Sequence, residues 1–313
     1  MALRFWKYLF IRPKSLCRST PALCFCRKPD AENPKPRLSA WLGLILGLIA
    51  AAACASVPYT NRRQLLLVSE GREVSMGYQM FQQIRRQYRP DPDPEINYLV
   101  NQVGRRLAAV ADRPDFAWEF VVFKDDKIAN AFCLPGGKVG VFTGILKYTQ
   151  DETGMATVIS HETAHVLARH AGERLSHSML TQMGGLGLSL GLGGLNPYAG
   201  QAVMQGYGLG TQMGILLPYS RKQEYEADRI GLILMAKAGY DPAGAIDFWE
   251  RMMKKDKSQM PQVLSSHPSD ANRILAMREF LPQAREHYRV MPVAAQAQAA
   301  PPPPPRVETR MSP

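Results

Sequence analysis

The chain has 313 residues, 46% of them hydrophobic and 21% charged. Those proportions suit a globular protein and exclude a disordered, collagenous or coiled-coil chain. The formal net charge is +11, but the first 40 residues hold nine Lys and Arg against only Asp30 and Glu32. Seven of the eleven excess charges therefore sit in what reads as a targeting segment, and the basic balance is no argument for a nucleic-acid partner.

No acidic residue precedes Asp30, no charge falls between Leu38 and Asn61, and residues 41–53 read WLGLILGLIAAAA. This apolar stretch is short for a relaxed membrane span of about 20 residues. With its basic flank and small residues it fits a signal-peptide core. Ala51-Ala52-Ala53-Cys54 resembles a bacterial lipobox, with Ala51 where Leu is usual. That reading makes the chain a lipoprotein anchored through Cys54 on the periplasmic side of an envelope, in the outer membrane. An uncleaved anchor over 41–57 and a mitochondrial presequence leading to the inner membrane are the alternatives, and all three attach the chain to a membrane. Five cysteines, Cys17, Cys24, Cys26, Cys54 and Cys133, are too few and too clustered for a disulfide framework. Beyond about Val290 the chain contains AAQAQAAPPPPPRVETRMSP, which cannot bury a core. The expected organisation is a leader over 1–53, one domain over 54–282 and a disordered Pro/Ala tail over 283–313.

Within the domain, Val74, Tyr78, Phe81 and Tyr88 recur at helical spacing over 69–88, and Ile96, Leu99, Val100, Val103, Leu107 and Val110 repeat the pattern after Pro94. Phe116 to Phe123 alternates as a strand does. Ile128–Leu134 and Lys138–Phe142 flank Pro135-Gly136-Gly137, which predicts a hairpin. Thr149 with Glu152 forms a capping-box pattern, opening a helix expected to run to about Arg174. A further helix is expected over 220–238. Helices before and after a small sheet, with no βαβ alternation, predict an α+β fold. Leu175 to Ser220 contains no Asp, Glu, Lys or Arg, and eleven glycines lie between Gly184 and Gly214. It reads either as a glycine-rich helical pair over the cleft or as a membrane-leaning lid.

Residues 161–165 read His-Glu-Thr-Ala-His inside the expected long helix. At about 100° per residue the two histidines stand about 40° apart, one turn apart along the axis. Their imidazoles can converge on one zinc ion, with Glu162 placed to take a proton from water. Glu224 and Asp228, four apart at the start of the 220–238 helix, share a face. One can complete the metal site while the other hydrogen-bonds a ligating histidine, although an acidic first turn also suits the helix dipole. Glu226 falls on another face and is expected in solvent. His170, about 140° around from His165, is not expected to ligate. Cys133 reads as a small buried residue of the hairpin.

HETAH, followed after a long insertion by SRKQEYEADRIG, resembles the HtpX/CAAX-prenyl-protease type of zinc metallopeptidase, a gluzincin. NAFCLPGGKVGVFTGIL at 130–146, SSHPSDANRI at 265–274 and CASVPYTNRRQLLLVSEGRE fit its soluble BepA, LoiP and Oma-like branch. The resemblance covers roughly 54–282. It implies a mainly helical zincin-type domain with a small sheet beside the active-site helix. One zinc would be held by His161, His165 and Glu224, with the fourth position left for water and Asp228 orienting a histidine. Glu162 would be the general base. It also implies that His267 can approach the metal as a switch or steady the oxyanion, and that Arg273 stabilises the tetrahedral intermediate or makes a structural ion pair. The implied activity is endoproteolysis of misfolded membrane or envelope proteins, with the substrate backbone pairing along an edge strand assigned here to Lys138–Phe142. The alternative is a chaperone or assembly factor with a latent protease site.

Overall fold

The computed structural model describes residues 54–193, 197–211, 217–254, 267 and 271–288. The expected leader and most of the expected tail lie outside the described residues. The described chain opens with a short antiparallel hairpin, β1 (Cys54–Ser56) and β2 (Arg63–Leu65), followed by α1 (Glu70–Gln87) and α2 (Pro94–Val110). Pro94 sits in the first turn of α2, where its missing N–H costs nothing, and the Asp93 side chain accepts from the amides of Glu95 and Ile96.

Three strands follow: β3 (Glu119–Phe123), β4 (Ala131–Leu134) and β5 (Lys138–Phe142). The β4–β5 hairpin forms as expected, its turn made by Gly136 and Gly137 at φ of 90° and 78°, which L side chains rarely adopt. The sheet order is β3-β5-β4, with β3 parallel and β4 antiparallel to β5. Lys138–Phe142 is thus the central strand, buried at all five positions, and it cannot be the edge that a substrate joins. The outer strand packed beside the site helix is β4. Residues alternate between two cores. Val122, Val139, Val141, Ala131 and Cys133 face the main one, while Phe123, Phe142 and Phe132 meet Phe81 of α1 in a separate aromatic cluster.

After a turn of 3₁₀ helix, Thr143–Ile145, and the short α3 (Leu146–Thr149) comes α4 (Glu152–Leu167). The cap of α4 is Asp151, whose carboxylate accepts from the Gly154 amide at 2.7 Å; Thr149 Oγ1 turns back to the Leu146 carbonyl instead. Every residue of α4 from Gly154 to Leu167 is buried, so this helix is the centre of the domain and not a surface amphipath. It ends earlier than expected. Arg169 takes a left-handed conformation (φ 53°) and a new helix, α5 (His170–Gly191), begins after it.

The charge-free segment is a helical pair, α5 with α6 (Pro197–Thr211), joined by a hydrogen bond from Tyr207 Oη to the Thr181 carbonyl at 2.8 Å. Met183, Leu186, Leu190 and Tyr198 of this pair are exposed. Then come α7 (Leu217–Lys237), α8 (Ala243–Met253) and α9 (Ala271–Glu286). Helix α9 continues four residues past Pro282, with Ala284 fully buried, so packing extends beyond the expected domain end. Among the described residues, no helix is long and apolar enough to cross a membrane. The sum is a mainly helical α+β domain whose small sheet flanks α4.

Candidate active site

Helix α4 carries His161, Glu162 and His165, and α7 packs alongside it at Gly231, where an added Cβ would stand 3.4 Å from the His161 amide nitrogen. That approach brings Glu224 of α7 onto the histidine pair. His161 Nε2 lies 3.2 Å from His165 Nε2 and 3.3 Å from Glu224 Oε2, and His165 Nε2 lies 3.5 Å from Glu224 Oε1. His267 completes the group. Its Nδ1 is 3.3 Å from His161 Nε2 and 3.1 Å from Glu224 Oε2, and all four ligand atoms lie within 4.8 Å of one another.

These separations test the donor set. Four ligand atoms at about 2.0–2.1 Å from a tetrahedral zinc must stand about 3.3–3.4 Å apart. Five of the six pairs stand 3.1–3.5 Å apart, through both oxygens of Glu224, which suits such a centre. Electrostatics agree. Burial works against a charge on His161, but Asp228 and Glu224 outweigh it and push the imidazole up to about 9. Burial raises the Glu224 carboxyl, yet the hydrogen bonds of His161 and His267 hold it well below the usual range. Burial and the neighbouring His161 hold His165 well down. The pocket thus favours positive charge among these groups, which a bound metal cation can supply in place of a proton. The residues fit a metal, and His267 stands in the corner that an open catalytic site leaves to water.

Beside these four side chains, Glu162 is buried with its Oε1 3.2 Å from His267 Nε2. Asp228 Oδ1 stands 3.2 Å from His161 Nδ1. Arg273, only 2% exposed, forks onto Asp228 through Nε (2.8 Å) and Nη2 (2.7 Å), while Nη1 reaches the His267 carbonyl (3.2 Å) and Glu224 Oε2 (3.3 Å). Its guanidinium lies 4.8 Å from the centroid of Trp249, whose ring meets His161 edge-on. Of the two roles open to Arg273, the geometry displays the ion pair.

Glu226 stands elsewhere than expected, and His170 lies behind the site. Glu226 is buried, accepting from Arg62 Nε (2.8 Å), from His170 Nε2 (3.0 Å) and from the Thr60 hydroxyl. His170 is fully buried, with Nδ1 2.8 Å from His165 Nδ1. It thus touches a candidate ligand from behind. Cys133 is buried, and burial, then the charge of Glu162, push its thiol up, so it stays protonated.

Burial works to raise the Glu226 carboxyl, but the hydrogen bonds from His170, Arg62 and Thr60 bring it down to about 2 from an ordinary 4.5. A carboxylate depressed by folding stabilises the fold fully above its unfolded value and loses that contribution as pH falls through its folded value. The contribution is on the order of 2–3 kcal/mol. Unfolding midpoints of the metal-free protein are expected to fall between about pH 4.5 and pH 2, and Glu226→Gln to flatten that decline. An unchanged slope in the variant would assign the acid sensitivity to other groups.

A family model described as Peptidase family M48 matches residues 94–281, the stretch that supplies all four candidate ligands. The mitochondrial metalloendopeptidase OMA1 of Schizosaccharomyces pombe is 36% identical over 273 residues, 82% of this chain and 77% of that protein. Its counterpart in Saccharomyces cerevisiae is 31% identical over 252 residues, 74% of this chain and 70% of that protein. The beta-barrel assembly-enhancing protease of Escherichia coli K12 is 31% identical over 224 residues, 70% of this chain but 45% of that protein, so the chain spans less than half of its length.

Proposed function

We propose that this chain, a metalloendopeptidase that belongs to peptidase family M48, uses one zinc ion and degrades misfolded membrane or envelope proteins from a membrane-attached position. The observation that carries the reading is the close gathering of His161, His165 and Glu224 with Glu162 beside them. Attachment would come from residues 41–57 or a lipid on Cys54, which is exposed at the start of β1. The position would be that of an outer-membrane lipoprotein facing the periplasm or of a mitochondrial inner-membrane protein; the named relatives are mitochondrial and bacterial proteases.

When bound, zinc supplies Lewis-acid polarisation of the attacking water and of the scissile carbonyl. Glu162 accepts the water's proton and returns it to the leaving amine. Asp228 fixes His161, and Arg273, forked on Asp228, is a positioning residue for that pair. A substrate backbone adds along the outer strand β4, which adjoins α4. His267, in the fourth corner and against Glu162, holds the site closed, so its withdrawal precedes turnover.

Zinc content and casein cleavage of the purified full chain test this reading. One zinc per chain with cleavage supports it, and a folded chain without zinc would sink it. His267→Ala is expected to keep one zinc and raise cleavage several-fold, measured as initial rates; a drop of a hundredfold would place His267 on the oxyanion instead. The filled fourth corner also keeps open a chaperone or assembly factor with a latent site. Full cellular function from Glu162→Gln would favour that second reading.

A further inference from the structure

We infer that His170 is a positioning residue that orients His165 toward the metal, and that the N-terminal hairpin holds it in place through Thr60 and Arg62. The inference rests on the zinc reading and extends it to residues outside the HETAH and EYEAD motifs.

His165 presents Nε2 to the ligand cluster, 3.2 Å from His161 Nε2 and 3.5 Å from Glu224 Oε1. A ligating nitrogen must offer a lone pair, so the proton of a neutral His165 sits on Nδ1. The neighbour of Nδ1 is His170 Nδ1 at 2.8 Å, which must then be the acceptor. The proton of His170 is left on Nε2, and Nε2 faces Glu226 Oε2 at 3.0 Å. One tautomer for each ring satisfies every contact, and the series ends on a carboxylate. His161 is backed directly by Asp228, whereas His165 is backed by Glu226 through one intervening ring. Glu226 lies two residues from Glu224, about 200° around α7. It therefore points away from the metal, and the His170 ring spans the gap.

The outer end of this series is tied to the chain's N-terminal side. Thr60 and Arg62 lie in the loop between β1 and β2, where Tyr59 and Asn61 adopt positive φ of 67° and 54°. The Thr60 hydroxyl and Arg62 Nε both donate to Glu226. The other two nitrogens of Arg62 fork onto Glu173 of α5, at 2.6 and 2.9 Å, and Gln223 adds a bond to Glu173 at 2.7 Å. Glu173 and Glu226 are both buried and come from different helices. Arg62 thus bridges α5 and α7 behind His170, from a loop that begins three residues after Cys54. A guanidinium suits that place because its planar fork can serve both carboxylates at once, which an ammonium cannot.

The test is zinc affinity of the full chain in mild detergent, by competition with a chromogenic chelator, alongside the melting temperature of the metal-free protein. His170→Leu is expected to raise the zinc Kd 10–100-fold, the usual effect of losing a ligand's outer partner. His170→Gln keeps one acceptor and one donor on a side chain of similar reach and should recover most of that loss. Arg62→Ala should shift the Kd several-fold in the same direction, with Arg62→Lys between it and wild type. Should His170→Leu not fold, His170→Asn replaces it, since Asn is too short to span both partners. Zinc binding within about twofold of wild type in folded His170 variants would overturn the inference. So would equal losses in Leu and Gln that merely track the metal-free melting temperature. A wild-type chain without zinc would overturn the zinc reading itself, whereas normal zinc with indifferent variants overturns only the role of His170.

Discussion

Glu162→Gln is expected to leave zinc content and unfolding midpoint unchanged while lowering the rate of casein cleavage by roughly 10²–10⁴-fold, the range for loss of a positioned general base. Gln has the shape of Glu and adds no charge to a position that is buried on α4, so the fold gives no reason for a structural loss. Its amide cannot take a proton from water. The deficit should therefore appear in kcat with KM little changed. The control is internal, because His161 and His165 flank Glu162 on the same helix and must still bind metal for the result to count. Cleavage at the wild-type rate would exclude Glu162 as the base. Normal zinc and no cleavage even in wild type would point to the closed corner at His267.

The parts of this fold that were legible in the sequence rest on strong local signals. Pro94 with Asp93 marks the start of α2, Gly136-Gly137 can only be a tight turn, and His161 with His165 shares a face wherever that segment is helical. Strand order is a different matter. A hairpin pattern fixes that β4 and β5 pair, but nothing local says which of them β3 joins. The parallel β3–β5 pairing, Glu119 with Lys138 through Phe123 with Phe142, puts β5 in the middle. The buried run Lys138–Phe142 is the one trace of this in the sequence, since a central strand is covered on both sides.

The contact of His170 with His165 and the burial of Glu226 were not legible, for a physical reason as well. Counting 140° from His165 to His170 assumes one continuous helix, and the left-handed Arg169 breaks it. Helix α5 then folds the His170 ring back onto the outer nitrogen of His165. Arg169 is held in that strained conformation by its bonds to the Val68 carbonyl and to Glu73, contacts about 100 residues distant in sequence. Glu226 followed from the same gap. An acidic residue on the outer face of α7 reads as solvated unless the partner that buries it, Arg62, is known to arrive from the N-terminal hairpin. Asp228 needed no such distant partner, because its spacing of four from Glu224 already placed it on the metal side.

Arg273→Met should produce the largest loss of stability. Arg273 is 2% exposed, makes a two-pronged bond to Asp228 and lies 3.3 Å from Glu224, so its removal strands two buried carboxylates beside one another's histidines. Breaking a buried pair from one side costs about 3–5 kcal/mol. For a domain of this size that is a fall of roughly 6–20 °C in melting temperature, at about 2–4 °C per kcal/mol. The sign of the metal's effect separates charge from packing. Met fills much of the aliphatic volume against Trp249, so what is lost is mainly the cation. A bound zinc restores positive charge next to Glu224 and, through His161, next to Asp228. The deficit should accordingly be large in the metal-free protein and shrink when zinc is added. Arg273→Lys should recover only part of it, since one ammonium cannot reproduce the fork. Equal losses with and without zinc would make Arg273 a packing residue and remove it from the metal site's support.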